Sequence, residues 1–558
     1  MENTLPVLKK CPIGISSFQD IIEKNLLYVD KTRHIHNLVT EGKNYFLSRP
    51  RRFGKSLLLS SLKSLFSGPP DPNGPPAGLF QNLWIDKPGF IFPERHPIIS
   101  LSMASHGATN ETLNVSLLNI LNKINTNENL GLAISVPGAD FSILIESLFN
   151  KYNKKVVVLI DEYDEPVSAN LHNLTLAEEN KETLKDFYSG LKTADEFTRL
   201  VFVTGVTRYA FMGLSAGLNH LDDITLNEKY ADICGFTHEE LDNYFTAYFP
   251  EVLGSLQNDG AFSMTENITN LRDDILSYYD GYTWDGKIKI LNPYSLLKFI
   301  QTRDFDPHWI ILGPSSNFLS SIVANNPLAF LMDKLQNFNL TDISIAEVGS
   351  LAPVPALFQT GYLTIDTITR TRKKSIFSFK IPNEEIRPEF ETLFRNNLFA
   401  LLNKDPNEDG ITLKKILDSG DASKISELIT SLYSSLPAIH HRSEESFYHS
   451  LLYSYCWGIL EFAPLSEQPG GNGTPDIILF FNDGLYVVIE LKYQKPEISK
   501  NVETDPEKLK KILENLATLG LKSIEEKKYA NAYLSRAKKI IKIGLGVYHR
   551  GDSLALIK

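Results

Sequence analysis

The sequence predicts a multidomain α/β protein. Three observations carry this. Apolar strand-like runs alternate with helical stretches from about residue 12 to 230. A mostly helical stretch follows from 231 to 395, and an apolar hairpin with charged ends lies in a smaller α/β region from 396 to 558. At 558 residues the chain has room for about two to four domains, each large enough for its own core. Its 42% hydrophobic and 22% charged residues are those of an ordinary globular protein.

In the N-terminal region the expected strands are Tyr45–Ser48, Ile98–Leu101, Val156–Ile160 and Leu200–Thr204, forming a doubly wound layer. The Pro- and Gly-rich run from Gly68 to Pro76 suits neither a helix nor a central strand and is expected to be a surface loop. Thr237-His238-Glu239-Glu240-Leu241 reads as a helix start with a Thr cap and a Glu at the third position. The polar run Asn403 to Gly410 is expected to be a linker. There is no internal repeat and no long low-complexity tract.

No apolar run approaches the roughly 18 residues needed to span a bilayer. The start, Met1-Glu2-Asn3-Thr4-Leu5-Pro6, lacks the basic-then-apolar form of a secretory signal. Cys11, Cys234 and Cys456 are too scattered for a disulfide framework or a metal-ligand cluster. An intracellular, cytoplasmic location with no membrane partner is the resulting expectation. The net charge of −11 gives no global attraction to a polyanion. Its distribution does more: residues 492–558 hold 15 Lys and Arg against 8 Asp and Glu, a net +7 that leaves −18 on the rest. Such a basic segment can hold a phosphate backbone, although any one of its lysines is more simply part of a solvated helix face.

Two constellations point to chemistry. In the first, the strand Asn44–Ser48 runs into Arg49-Pro50-Arg51-Arg52-Phe53-Gly54-Lys55-Ser56 and then an apolar helix. Strand, Gly-Lys-Ser loop and helix make a phosphate-binding setting: N–H groups at the helix start face the anion, Gly54 allows the turn, Lys55 reaches the β/γ-phosphates and Ser56 ligates Mg²⁺. Arg49 stands where the first glycine of that motif usually lies. Further on, the apolar strand Val156–Ile160 ends in Asp161-Glu162, with Asp161 placed to hold Mg²⁺ and Glu162 to polarise the attacking water. Thr204 ends the next apolar strand where a polar sensor would stand, and Arg208 follows within reach of a γ-phosphate. Each fragment alone is common in structural roles; together, in this order, they predict ATP binding with Mg²⁺ and, less directly, hydrolysis. The fold expected here is a P-loop NTPase sheet.

The second constellation is near the C-terminus. Asp476 opens an apolar run, Asn482-Asp483-Gly484 supplies hairpin-turn chemistry, and the returning run Leu485–Ile489 ends in Glu490-Leu491-Lys492. The period of two places Glu490 and Lys492 on one face. A carboxylate ending a buried strand is costly without a cation. Asp476 and Glu490 are therefore expected to ligate Mg²⁺, with Lys492 stabilising charge on a phosphate. The plain alternative is a structural hairpin with a solvated rim. Tyr448 and His449 lie on an apolar helix upstream, where packed residues outnumber catalysts.

Pro475-Asp476 followed by Glu490-Leu491-Lys492 on the next strand resembles the PD-(D/E)XK nuclease superfamily. That resemblance implies a restriction-endonuclease-like α/β domain, a Mg²⁺-dependent nuclease acting on nucleic acid (DNA before RNA), and a further metal-site carboxylate, Glu445, from Glu445-Ser446-Phe447-Tyr448-His449. Across nearly the whole chain the sequence resembles AAA-ATPase-like proteins that carry such a domain at their C-terminus. The resemblance rests on Pro12-Ile13-Gly14-Ile15, Tyr28-Val29-Asp30-Lys31-Thr32, the Arg49–Ser56 string, Ile160-Asp161-Glu162-Tyr163-Asp164 and Thr204-Gly205-Val206-Thr207-Arg208. It continues through Asp223-Ile224-Thr225-Leu226, Gly235-Phe236-Thr237, Tyr279-Asp280-Gly281-Tyr282, Asn292-Pro293-Tyr294-Ser295, Phe358–Leu363 and Ile381–Arg387. In that family the absent first glycine is normal. The implied division is an AAA-like ATPase domain over 1–230, a helical lid or regulatory region over 231–395 and a nuclease-like domain over 396–558. One departure stands out: where the family has a Gln-Ile pair before Lys-x-x-Tyr, this chain has Ser523-Ile524 before Lys527-Lys528-Tyr529. The leading expectation is an ATPase coupled to a nuclease. The alternative is a nucleotide-switched sensor or scaffold that grips nucleic acid without cutting it. Self-association is left open.

Overall fold

The computed structural model describes residues 8–68, 78–87, 89–104, 110–171, 173–208, 220–259, 267–309, 335, 338–344, 353–372, 374–437, 441–460, 464–466, 473–495, 505–549 and 551–558. They form two compact units, one of residues 1–322 with 336–390, the other of 323–335 with 391–558. Most of the expected Pro- and Gly-rich loop, residues 69–76, lies outside the described residues.

The first unit is built on a five-stranded sheet whose neighbouring strands all run parallel. Its elements are β1 (Asn44–Ser48), α1 (Lys55–Ser67), β2 (Ile98–Ser102), α2 (Asn110–Asn127), α3 (Pro137–Tyr152), β3 (Val156–Asp161), α4 (Leu174–Thr193), β4 (Thr198–Gly205) and β5 (Asp222–Asp223). The strand order is β2-β3-β4-β1-β5. Parallel strands covered on both faces need near-continuous apolar runs, and β3 and β4 supply them. Phe46, Leu101, Val158, Ile160 and Val203 share one core with Leu144, Leu148, Leu184 and Phe187. All four expected strands form, most of them a residue or two longer than their apolar stretches. β1, β3 and β4 lie side by side, so Ser48, Asp161 and Thr204 finish at one edge, the edge where such sheets bind ligands.

Beyond residue 231 the same unit is mostly helical. Helix α5 (His238–Phe245) starts with the expected capping box: Thr237 Oγ1 accepts from Glu240 N at 3.1 Å, and Glu240 accepts from Thr237 N at 2.8 Å. Asn292 caps α6 (Pro293–Thr302). A small antiparallel sheet adds Phe338–Asn339 to the hairpin β6 (Thr364–Arg370) and β7 (Ser375–Lys380), strands that the sequence pattern did not single out. Leu241, Phe245, Leu271, Ile275 and Phe299 bury against Leu27 and Val29, so this helical stretch shares its core with the N-terminal segment.

The second unit contains α7 (Pro406–Ser419), α8 (Glu445–Ile459), β8 (Leu465–Ser466), β9 (Ile477–Phe480), β10 (Leu485–Gln494), α9 (Pro506–Glu526), β11 (Lys539–Tyr548) and β12 (Asp552–Ile557). The sheet runs β8-β9-β10-β11-β12, antiparallel except for the central pair β10–β11, which α9 connects. The expected hairpin forms, with Phe481 O accepting from Gly484 N at 2.9 Å and Gly484 at φ +84°. The expected linker is corrected. Asp405 caps α7 by accepting from Asn407 N and Glu408 N, and Pro406 is its first residue, so the polar run from 405 onward is a helix start.

Small residues bring α9 unusually close to the sheet. A Cβ on Gly544 would stand 2.0 Å from Ala517 O, and one on Gly546 2.4 Å from Leu513 O. Gly544 is the register partner of Glu490, so this contact also sets how near α9 comes to that carboxylate. Gly544→Ala should destabilise the second unit by about 1–3 kcal/mol through forced overpacking. Gly254→Ala, at a helical site with nothing within 4 Å of the new Cβ, should stabilise its unit by up to about 1 kcal/mol. Chemical denaturation of the two variants checks both signs.

Candidate functional site

The loop after β1 is held by an arginine. Arg49, only 1% exposed, stands at the position of the missing glycine. Its guanidinium donates to Ser48 O at 2.8 Å, Thr225 O at 2.9 Å and Tyr230 O at 3.0 Å. It also lies 4.1 Å from the centre of the Trp284 ring. Burial pushes its pKa down to about 10. The residue staples the loop to neighbouring chain segments by three backbone carbonyls, a fixing that a glycine has no side chain to provide.

Gly54, at φ +97°, then turns the chain into α1, whose first turn carries no side-chain cap and no acidic residue. Its N–H groups and helix dipole therefore face an open cavity and favour an anion there. Lys55 is buried and donates to the carbonyls of Arg49 at 2.8 Å and Pro50 at 2.9 Å, with burial lowering its pKa. Asp161, at the end of β3, accepts from Ser56 Oγ at 2.5 Å and from Thr204 Oγ1 at 2.6 Å. Glu162 follows at φ +53°, a strained backbone for a non-glycine residue. Burial, then Asp161 and Glu165, raises its pKa. The cavity has a volume of about 490 Å³, within the range of small-molecule sites. Gly54, Lys55, Ser56 and Glu162 form its polar wall; Phe236 and Tyr294 are on its apolar side. Polar anion-binding groups facing apolar walls fit a nucleotide.

Arg208, like Asp161 and Thr204, is not among the residues that line the cavity. Its guanidinium is ion-paired with Asp223 and its N–H donates to Gln359 Oε1 at 2.9 Å.

The hairpin brings Asp476, Glu490 and Lys492 together. Glu490 is 2% exposed. Its Oε1 accepts from Lys492 Nζ at 3.1 Å and from Ser523 Oγ at 2.8 Å. Its Oε2 is buried without a hydrogen-bond partner. Asp476 Oδ2 accepts from Leu491 N at 2.7 Å, locking the carboxylate across the hairpin. Burial and then Glu490 raise Asp476 to about 6. Burial works against the Lys492 ammonium, but Glu490 and Asp476 together hold its pKa above the ordinary value. Two acids compressed beside one ammonium, with a bare buried oxygen, is a donor set that a hard divalent cation satisfies.

Glu445, expected as a further metal carboxylate, accepts from Tyr493 N at 2.9 Å through one oxygen and adds to the charge acting on Lys492. Among the described residues no group of three or more His, Cys, Asp or Glu side chains is arranged to hold a metal ion. Tyr448 is fully buried, donates to His549 O and stacks on Tyr493, a packing role. His449 Nε2 contacts the Asp476 carbonyl at 2.9 Å, and its ring is close enough to act on the Asp476 carboxyl. Ser523, where the family has Gln, is in direct contact with Glu490. Lys527, singled out beforehand only through the family's Lys-x-x-Tyr stretch and the basic segment, feels the charges of Glu490 and Asp476 as well as Tyr529.

Comparison with known proteins agrees with this geometry. Residues 12–215 match the family described as predicted AAA-ATPase, and residues 443–555 match the PD-(D/E)XK nuclease superfamily. An uncharacterized protein in the vnfD 5′ region of Azotobacter chroococcum mcd 1 is 31% identical over 553 residues, covering 96% of each chain. Among the described residues no helix is long and apolar enough to cross a membrane.

The raised pKa of Asp476 predicts a pH signature. The folded protein holds this proton more tightly than the unfolded chain, so the associated stability is present below the ordinary carboxyl pKa and lost as pH rises through about 6. In EDTA, Asp476→Asn should gain stability relative to the unsubstituted protein between pH 4 and pH 7. Saturating Mn²⁺ at pH 7 should reverse the difference by stabilising only the chain with Asp476. Denaturant titrations at the two pH values measure it.

Proposed function

We propose, for a chain that belongs to the family of predicted AAA-ATPases carrying a PD-(D/E)XK nuclease domain, that ATP binding and hydrolysis at the N-terminal cavity are coupled to Mg²⁺-dependent cleavage of DNA at the C-terminal hairpin. The observation that carries the nuclease reading is the buried, partnerless Oε2 of Glu490 beside Asp476 and Lys492. Residues 1–230 would be the ATPase domain, 231–395 its lid or regulatory region and 396–558 the nuclease domain, in an intracellular protein.

At the hairpin, Asp476 and Glu490 would hold Mg²⁺, which supplies a Lewis acid and a bound water of lowered pKa. Lys492 neutralises charge developing on the phosphoryl group. Ser523 fixes one oxygen of Glu490 and leaves the other for the ion. In the cavity, Lys55 exchanges the carbonyls of Arg49 and Pro50 for β/γ-phosphate oxygens. Ser56 and Asp161 would hold the nucleotide's Mg²⁺, with Thr204 orienting Asp161 and Glu162 placed to polarise the attacking water. The basic residues from 492 onward provide counter-charge for the DNA backbone.

A second reading has its own support. Among the described residues no group of three or more His, Cys, Asp or Glu side chains is arranged to hold a metal ion, which leaves the Asp476–Glu490 pair. A domain with only these could grip nucleic acid under nucleotide control without cutting it.

The discriminating experiment incubates purified protein with plasmid, linear and single-stranded DNA and with RNA, in Mg²⁺ or Mn²⁺, with and without ATP. Metal-dependent DNA cleavage, abolished in folded Asp476→Asn and Glu490→Gln and strongly reduced in Lys492→Ala, is the expected result. Equal cutting by the unsubstituted protein and all three variants would remove the hairpin as the active site. Binding without cutting would favour the scaffold. At the cavity, Lys55→Ala should weaken ATP at least about tenfold through loss of a charge-assisted contact. Glu162→Gln should bind ATP normally and hydrolyse it slowly. Titration calorimetry and phosphate release check the pair.

A further inference from the structure

Within the nucleotide cavity stands an ion pair to which the proposed ATPase chemistry gives no role. Arg51 and Glu165 both line the cavity. Arg51 Nη2 lies 2.8 Å from Glu165 Oε1 and 2.6 Å from Oε2. The side chains are 32% and 22% exposed, accessible to solvent in the cavity mouth yet shielded enough for the charges to matter. The Arg51 carbonyl accepts from Trp309 Nε1 at 3.0 Å. The backbone is thus pinned at this residue and the long side chain is the part able to move.

Position along the loop says what Arg51 faces. Lys55, four residues later, sits under the loop on the carbonyls of Arg49 and Pro50. Arg51 feels the carboxylates of Glu162 and Asp164 in addition to Glu165. Glu162 is the residue placed to polarise water against the terminal phosphoryl group. The guanidinium is therefore on the γ-phosphate side of the cavity. The neighbouring Arg52 also lines the cavity, but its guanidinium is engaged 5.2 Å from the centre of the Tyr294 ring. A triphosphate brings a terminal phosphoryl group that a diphosphate lacks, and a planar guanidinium matches its oxygens better than an ammonium does.

We infer that Arg51 is a γ-phosphate-contacting residue supplied by the phosphate loop itself, with Glu165 as its resting counter-ion that it leaves when a triphosphate binds. The inference rests on the nucleotide-pocket reading and adds to it the residue that tells triphosphate from diphosphate. Glu165 keeps the arginine ordered and competes with the γ-phosphate for it. An arginine placed this way also stabilises charge on the transferring phosphoryl group.

The test is titration calorimetry of the full chain with the Mg²⁺ complexes of ADP and of a non-hydrolysable ATP analogue. Arg51→Ala should weaken the analogue at least about tenfold and ADP less than about threefold, with Arg51→Lys between it and the unsubstituted protein. Glu165→Gln should tighten the analogue by about threefold or more and leave ADP nearly unchanged, because it removes the competing anion. Equal weakening of both nucleotides by Arg51→Ala would make the pair a structural brace and overturn the inference, as would no change in either. Lys55→Ala separates the two levels. Binding lost in Lys55→Ala, with an analogue-to-ADP ratio insensitive to Arg51, overturns this inference alone. Absent binding, or binding insensitive to Lys55, overturns the pocket reading as well.

Discussion

A carboxylate carried on a buried strand imposes the constraint on which both units of this protein depend. Taking such a charge out of water costs several kcal/mol even after relaxation, and the cost is tolerated only where donors or a cation meet it. Asp161 ends β3 and Glu490 lies in β10, each preceded by an apolar run. Asp161 meets two hydroxyls, from Ser56 and Thr204. Hydroxyls rotate, so this arrangement can open to an ion without moving the backbone. Glu490 meets Lys492 and Ser523 at one oxygen and nothing at the other. In each unit the polar groups gathered around that strand carboxylate are the candidate chemistry.

The scaffold delivers these groups by close approach. Parallel pairing aligns the ends of β1, β3 and β4, which puts the phosphate loop, Asp161 and Thr204 at one edge. Arg49 then fixes the loop through three backbone carbonyls and the Trp284 face. In the second unit Gly544 and Gly546 let α9 lie against the sheet, and Ser523 on that helix reaches Glu490. A bulkier residue at either glycine would lift the helix and lose that hydrogen bond before any carboxylate changed.

Much of this was legible in the residues. Runs such as Val156–Asp161 read as buried strands because nothing polar interrupts them, Thr237 and Glu240 announce a helix start, and Asp476, Glu490 and Lys492 follow from hairpin arithmetic. What was not legible depends on partners distant in the chain. The Arg49 position read as a lost glycine, because its three carbonyl acceptors include Thr225 and Tyr230, far along the sequence. The Arg208–Asp223 ion pair was equally hidden, because local pattern does not show which acid lies beside an arginine. Glu445 entered through family likeness alone, and nothing in the local pattern foretold the hydrogen bond that Tyr493 N gives it. The run Asn403–Gly410 read as a linker on polarity alone, although Asp405-Pro406 is equally a helix cap and first turn. Local pattern reports elements well; it reports the use of a polar side chain only when the partner is near in sequence.

That the Asp476–Glu490 pair is a divalent-metal site is the central claim, and locating the ion tests it most directly. Crystals grown or soaked with Mn²⁺ and measured at the manganese absorption edge would show where it sits. The expected result is an anomalous peak within coordination distance of Glu490 Oε2 and the Asp476 carboxylate, absent from Glu490→Gln crystals treated alike. An ordered hairpin with no peak there, or a peak that persists in Glu490→Gln, would contradict a metal site at this carboxylate pair.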